Sequence, residues 1–151
     1  MVVDTSPISD DFMRDMLTKS RTYTVVFLKA TSRQRTPEVD AIIWEHGRRN
    51  FALRAEGVLP IVCPVVDDSE WAGIGIFNAT VEEVVRIMDD DPGVRAGVFT
   101  YEVHPIRSFP GDALPARALG LGSRPEDAVF DARLSREQTS SQCCPPIEGV
   151  R

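Results

Sequence analysis

The spacing of apolar and polar positions changes several times along the chain, and each change marks an element. From Ser9 to Lys19, Phe12, Met13, Met16 and Leu17 fall on one side of a short helix, with Ser9 as its cap and acids in its first turn. TYTVVFLKA, Thr22 to Ala30, is dense in β-branched and aromatic residues and predicts a strand. Thr36-Pro37 then sets a capping residue before a proline at the first helical position. Val39, Ile42, Ile43, His46, Asn50 and Leu53 recur at helical spacing as far as Gly57, a left-handed stop. Trp44, Phe51 and Ala55 lie on nearly the opposite side, so this helix has two faces to cover. One should meet the domain's own sheet, the other a partner subunit or a terminal segment.

VLPIVCPVV, Val58 to Val66, predicts a second strand whose two prolines suit an edge or a bulge. In WAGIGIFNA, Trp71 to Ala79, alternation puts Trp71, Gly73, Gly75 and Phe77 on one face and Ile74 and Ile76 on the other, with the glycines leaving open space. Thr80 with Glu83 makes a capping box for a helix carrying Val81, Val84, Val85 and Met88, which stops at DDDPG. After Gly97, VFTYEVHPI gives a last strand with Phe99, Tyr101 and Val103 on one side and Thr100, Glu102 and His104 on the other.

The order β-α-β-β-α-β describes an α+β split-βαβ sandwich, two helices on one face of an antiparallel sheet. The other sheet face is also largely apolar, and a two-fold homodimer is the expected cover. The predicted organisation is therefore an N-terminal helical extension over 1–21, the α+β domain over 22–110, and a largely irregular C-terminal extension over 111–151, with a short helix near Pro125 to Arg133.

Composition narrows the partners. A chain of 151 residues that is 42 % hydrophobic and 26 % charged is of globular type. A formal charge of −6 without a Lys/Arg cluster argues against nucleic acid and anionic membrane, leaving small molecules or proteins. The first residues, MVVDTSPISDDF, are acidic where a signal peptide is basic, so a cytoplasmic protein is expected. Cys63 stands in an apolar strand, and Cys143 and Cys144 are adjacent; these three cysteines form no spaced zinc set, and reduced thiols are expected.

The chain has no Gly-rich phosphate loop, no serine elbow and no histidine pair at metal spacing, and only two histidines. His46 interrupts an apolar helical stripe, which sets an imidazole at the helix–sheet interface. There it either hydrogen-bonds a backbone carbonyl as a core residue or serves as a general acid or base near neutral pH. In Asp89-Asp90-Asp91-Pro92 the acids either end a helix in solvent or supply a carboxylate that turns inward to orient the imidazole. Asp91, held by the following proline, is the candidate. His104 belongs either to the cavity or to an exposed strand end.

The stretches WEHGRRNFALRAEGVLPIVCP and DDDPGVRAGVFTYEVHPI resemble the YCII-related family of small dimeric α+β barrel proteins. That family has a histidine early in its first helix, a Leu-rich remainder ending in Gly, an apolar strand ending in a GP pair, and a D-P-x-V-x-A-G segment running into a strand that ends near V-x-P. Those features fall here on His46, Leu53 to Gly57, Pro64, Asp91 to Gly97, and Val103 to Pro105. Two departures are visible: Cys63 replaces the glycine of the GP pair, and both ends carry extensions. The resemblance implies a ferredoxin-like protomer that pairs its sheet with a second copy, a pocket between helix and sheet, and a His46–Asp91 pair at the active site. Relatives of the family include a dehydrochlorinase acting on a chlorinated ring and, more distantly, muconolactone isomerase-like enzymes.

The resulting expectation is an enzyme without metal or organic cofactor, acting on a small cyclic or enolisable molecule by proton transfer that leads to isomerisation or elimination. His46 would move the proton and Asp91 would set its tautomer. Trp71, Phe77 and Tyr101 would wall a ring-shaped substrate and Gly73 and Gly75 would provide volume; His104 and Cys63 are further substrate-binding candidates, Cys63 either altering the pocket floor or packing there. Cofactor-free oxygenation of an electron-rich aromatic is the alternative chemistry, by fold analogy. A non-catalytic small-molecule-binding or interaction protein is the alternative from another class.

Overall fold

A computed structural model of the chain describes residues 2–114. The expected helix near Pro125 and the adjacent Cys143 and Cys144 lie outside them. The elements run α1 (Asp10–Lys19), β1 (Arg21–Ala30), α2 (Pro37–Ala55), β2 (Ile61–Pro64), β3 (Trp71–Phe77), α3 (Val81–Asp89), α4 (Pro92–Arg95) and β4 (Phe99–Ser108).

Local chemistry sets most of these boundaries. The Ser9 and Thr36 hydroxyls accept from the backbone N–H three residues on, Pro37 opens α2, and Gly57 closes its end at φ +74°. Thr80 and Glu83 satisfy each other's backbone reciprocally, the capping box in full. Missing from the expectation is α4. Asp91 caps it through Gly93 N and Val94 N, and Pro92 occupies its first position. The same cap-then-proline signal that opens α2 stands in Asp91-Pro92.

The four strands form one antiparallel sheet in the order β2-β3-β1-β4, an α+β arrangement compatible with a ferredoxin-like fold. The proline-bearing β2 is at an edge, where a missing donor costs no ladder bond. Val26 and Leu28 of β1, Phe77 of β3 and Phe99 of β4 pack with Val39 of α2 and Val84 and Met88 of α3 into one core. The helices α2 and α3 therefore share one sheet face. Thr24, buried in mid-sheet, satisfies its hydroxyl by donating to Ala79 O at 2.8 Å.

Two expectations about β3 fail for a physical reason. Leu28 pairs with Gly73 but Lys29 with Trp71, so one extra residue, Ala72, is inserted and the strand bulges. The bulge reverses alternation. Ala72 packs toward the core, whereas Trp71 turns to the helix-free face and meets Phe27 edge-on at 6.0 Å, with the Lys29 ammonium 5.1 Å from its ring. Nor do the glycines leave open space. A Cβ at Gly73 would come within 3.1 Å of the Cys63 carbonyl oxygen, and one at Gly75 within 3.0 Å of Leu59 Cδ1 and 3.1 Å of Phe77 Cε2. They permit close packing instead.

Helix α1 buries none of its side chains, and its Phe12, Met13 and Leu17 are all about half exposed. On α2, Trp44 and Phe51 are exposed as well. No helix among the described residues is long and apolar enough to cross a membrane.

Candidate functional site

His46 sits in the third turn of α2, on the stripe that faces the core, with a side chain 12 % exposed. Asp91, at the joint between α3 and α4, is fully buried. The two meet: His46 Nδ1 is 2.8 Å from Asp91 Oδ2. The other carboxylate oxygen, Oδ1, accepts from Gly93 N at 2.9 Å and Val94 N at 3.2 Å. One carboxylate thus caps a helix with one oxygen and holds an imidazole with the other.

The electrostatics follow from this division. Burial pushes the Asp91 pKa up. The hydrogen bond from His46, its charge whenever the ring is protonated, and the backbone N–H groups of Val94 and Gly93 outweigh burial and hold the carboxyl below its ordinary value. An ionised Asp91 accepts, so His46 Nδ1 carries the proton and Nε2 the lone pair. Nε2 in turn accepts from Asn50 Nδ2 at 3.0 Å, one turn further along α2. The Phe99 ring closes the other side, 4.9 Å from the imidazole between centroids. Gly93 is required beneath that ring, because a Cβ there would lie 2.5 Å from Phe99 Cδ2.

Chemically, the pair is a base of fixed tautomer whose reactive nitrogen is covered by an amide. A substrate reaching Nε2 would take the place of Asn50 Nδ2. Proton uptake there yields an imidazolium that Asp91 already faces.

Arg49, also on α2, extends the site toward α3. Its Nη1 is 3.8 Å from Asp91 Oδ2 and its Nη2 is 3.8 Å from Asp90 Oδ2. Beyond it α2 and α3 part, leaving a cleft of about 490 Å3 lined in part by Val58, Ala79 and Ile87. Cleft and pair share Arg49.

The remaining expected site residues do not gather around His46. Phe77 is 2 % exposed within the core and does not line the cleft beside Arg49. Tyr101 lies on the helix-covered side but gives its hydroxyl to Asp89 Oδ1 at 2.6 Å; burial first, then Asp89, pushes its pKa up to about 12. Trp71 is on the opposite face for the reason given. There too is His104, opposite Val25, exposed and 3.8 Å from the Glu102 carboxylate. Cys63, a half-buried free thiol opposite Ile74 on edge strand β2, is also on that face. No group of acidic, histidine or cysteine side chains suited to a metal ion occurs among the described residues. Arg49 carries no sequence signal beyond its place three residues after His46; Asn50 was legible as a stripe position whose partner was not.

No family model matches the chain, and no curated protein matches it either. The site's meaning rests on its own geometry.

Proposed function

We propose that the chain is a cofactor-independent enzyme acting on a small cyclic or enolisable organic molecule, in which His46 transfers a proton and Asp91 fixes its tautomer and stabilises the imidazolium. Isomerisation or elimination is the reaction class. The observation that carries this reading is the 2.8 Å contact between His46 Nδ1 and a buried, ionised Asp91, which leaves Nε2 basic. The adjoining cleft has the volume of a small-molecule site. The likeness to YCII-related proteins belongs to the same reading, as does assembly of two copies through the helix-free sheet face, where Ile74 is 37 % exposed beside the half-buried Phe27 and Trp71.

A second reading has its own support. Asn50 satisfies Nε2 from within the chain, an arrangement that a purely binding site or a structural pair would also use.

Turnover decides between them. Candidate small cyclic and enolisable acids and lactones are incubated with the wild type and His46→Ala, and conversion is followed by mass spectrometry. The enzyme reading expects conversion by the wild type and a drop of roughly 10²–10⁴-fold in the variant. Equal turnover by both removes His46 from the mechanism.

A further inference from the structure

The cleft between α2 and α3 holds two cations whose bonding is incomplete. Arg49 is three-quarters buried, yet both of its carboxylate neighbours stand at 3.8 Å, beyond hydrogen-bond length, and its guanidinium makes no side-chain hydrogen bond among the described residues. Its Nη1 is buried and, among the described residues, has no hydrogen-bond partner, only the longer-range charge of Asp91. A buried guanidinium N–H that makes no hydrogen bond is costly even with carboxylates at ion-pair range, and such a donor is free to take a ligand's oxygen. Across the cleft, exposed Arg86 has no carboxylate within ion-pair distance among the described residues. Val58, Ala79 and Ile87 give the same cleft an apolar share of its lining, beside Asn78, Glu83 and Asp90.

The acids of the same cleft are already engaged. Glu83 accepts from Thr80 N at 2.8 Å in the α3 capping box, and Asp90 is 3.3 Å from Arg95 Nη1. They leave the arginines unneutralised at hydrogen-bond range but would repel a second negative charge. The fork of a guanidinium matches the two oxygens of a carboxylate. We infer that the α2/α3 cleft is a binding site for an organic monocarboxylate, with Arg49 and Arg86 taking the carboxylate and the apolar share of the lining taking the body of the molecule. This deepens the proposed function and rests on its small-molecule reading. It names the substrate class, an anion held by Arg49 one turn of α2 from His46, whose Nε2 would be reached only by displacing the Asn50 amide.

Benzoate is the probe, with benzamide as its uncharged isostere and inorganic phosphate as a dianion, titrated into the full chain at constant ionic strength. Binding is followed through amide chemical shifts in NMR. Benzoate should bind in the millimolar range or tighter and shift the amides of Asn78, Ala79 and Ile87, with benzamide and phosphate each at least tenfold weaker. Arg86→Gln, on the surface, should weaken benzoate about fivefold, and Arg49→Gln at least tenfold. Arg86→Gln leaves the His46–Asp91 contact in place, so loss of anion binding in that variant and loss of turnover in His46→Ala separate the two readings. Equal binding of benzoate and benzamide, preference for phosphate, indifference to Arg86→Gln, or no binding overturns the inference.

Discussion

Asp91 concentrates more of the local energetics than any other side chain at the site. Its removal would orphan His46 Nδ1–H and the N–H groups of Gly93 and Val94 together. Because its folded pKa is depressed, ionised Asp91 contributes stability that is fully present above the unfolded value, here 3.8, and is lost as pH falls through the lower folded value. Asp91→Asn should therefore cost about 2 kcal/mol at pH 5, and the gap to the wild type should narrow toward pH 3. Urea unfolding at both pH values measures it; a gap that stays constant would contradict the assignment. Tyr101 uses another acid of the same run, Asp89, while Asp90 faces Arg49 and Arg95. Three consecutive aspartates thus each have a partner, Tyr101, Arg95 and His46 in turn with Arg49 near the last two, which accounts for acids crowded at a helix C-terminus where the dipole disfavours them.

Among the elements, α4 is the smallest and does the most for the site. It turns the chain so that Asp91 points inward, and its Gly93 lies against Phe99, which in turn lies against the imidazole. Gly93→Ala should lower stability by about 2 kcal/mol in chemical denaturation, since the Phe99 ring must shift, and should move the His46 ring resonances in the same sample. A wild-type-like midpoint would show that the ring has room. The helices α2 and α3, their caps, edge strand β2 and the inward stripe bearing His46 were all legible, because caps, proline positions and periodicity are local properties. Contact between His46 and Asp91, 45 residues apart, was legible as a candidate pair through the proline that follows Asp91. What escaped depends on neighbours. The bulge at Ala72 is a property of pairing between β1 and β3, so alternation read from WAGIGIF alone put Trp71 on the wrong face. Gly73 and Gly75 looked like vacancies because the groups that fill them, the Cys63 backbone and Leu59, come from elsewhere in the chain.

At the scale of the molecule the two sheet faces have different duties: one carries the helices, the core and the His46 pair, the other Phe27, Trp71, Ile74 and His104. If the second face joins two copies, Ile74→Lys introduces a charge at the joint. Sedimentation equilibrium should then find a wild-type dimer and a variant monomer of unchanged circular dichroism; a wild type that is monomeric at about 100 μM protein, roughly a hundredfold above a micromolar Kd, rejects the pairing. The reading of the His46 pair would stand, since both of its members belong to one chain.

The two oxygens of Asp91 also bear on how variation at this site can be interpreted. Position 91 answers to folding through one oxygen and to the imidazole through the other, so nearly every replacement there will first reduce the amount of protein in a cell. Position 46 gives only one of those contacts and caps nothing. If the proposed reaction holds, a library that scores abundance and activity separately would find the two measures fused at 91 and divergent at 46, and only the second position would report on chemistry.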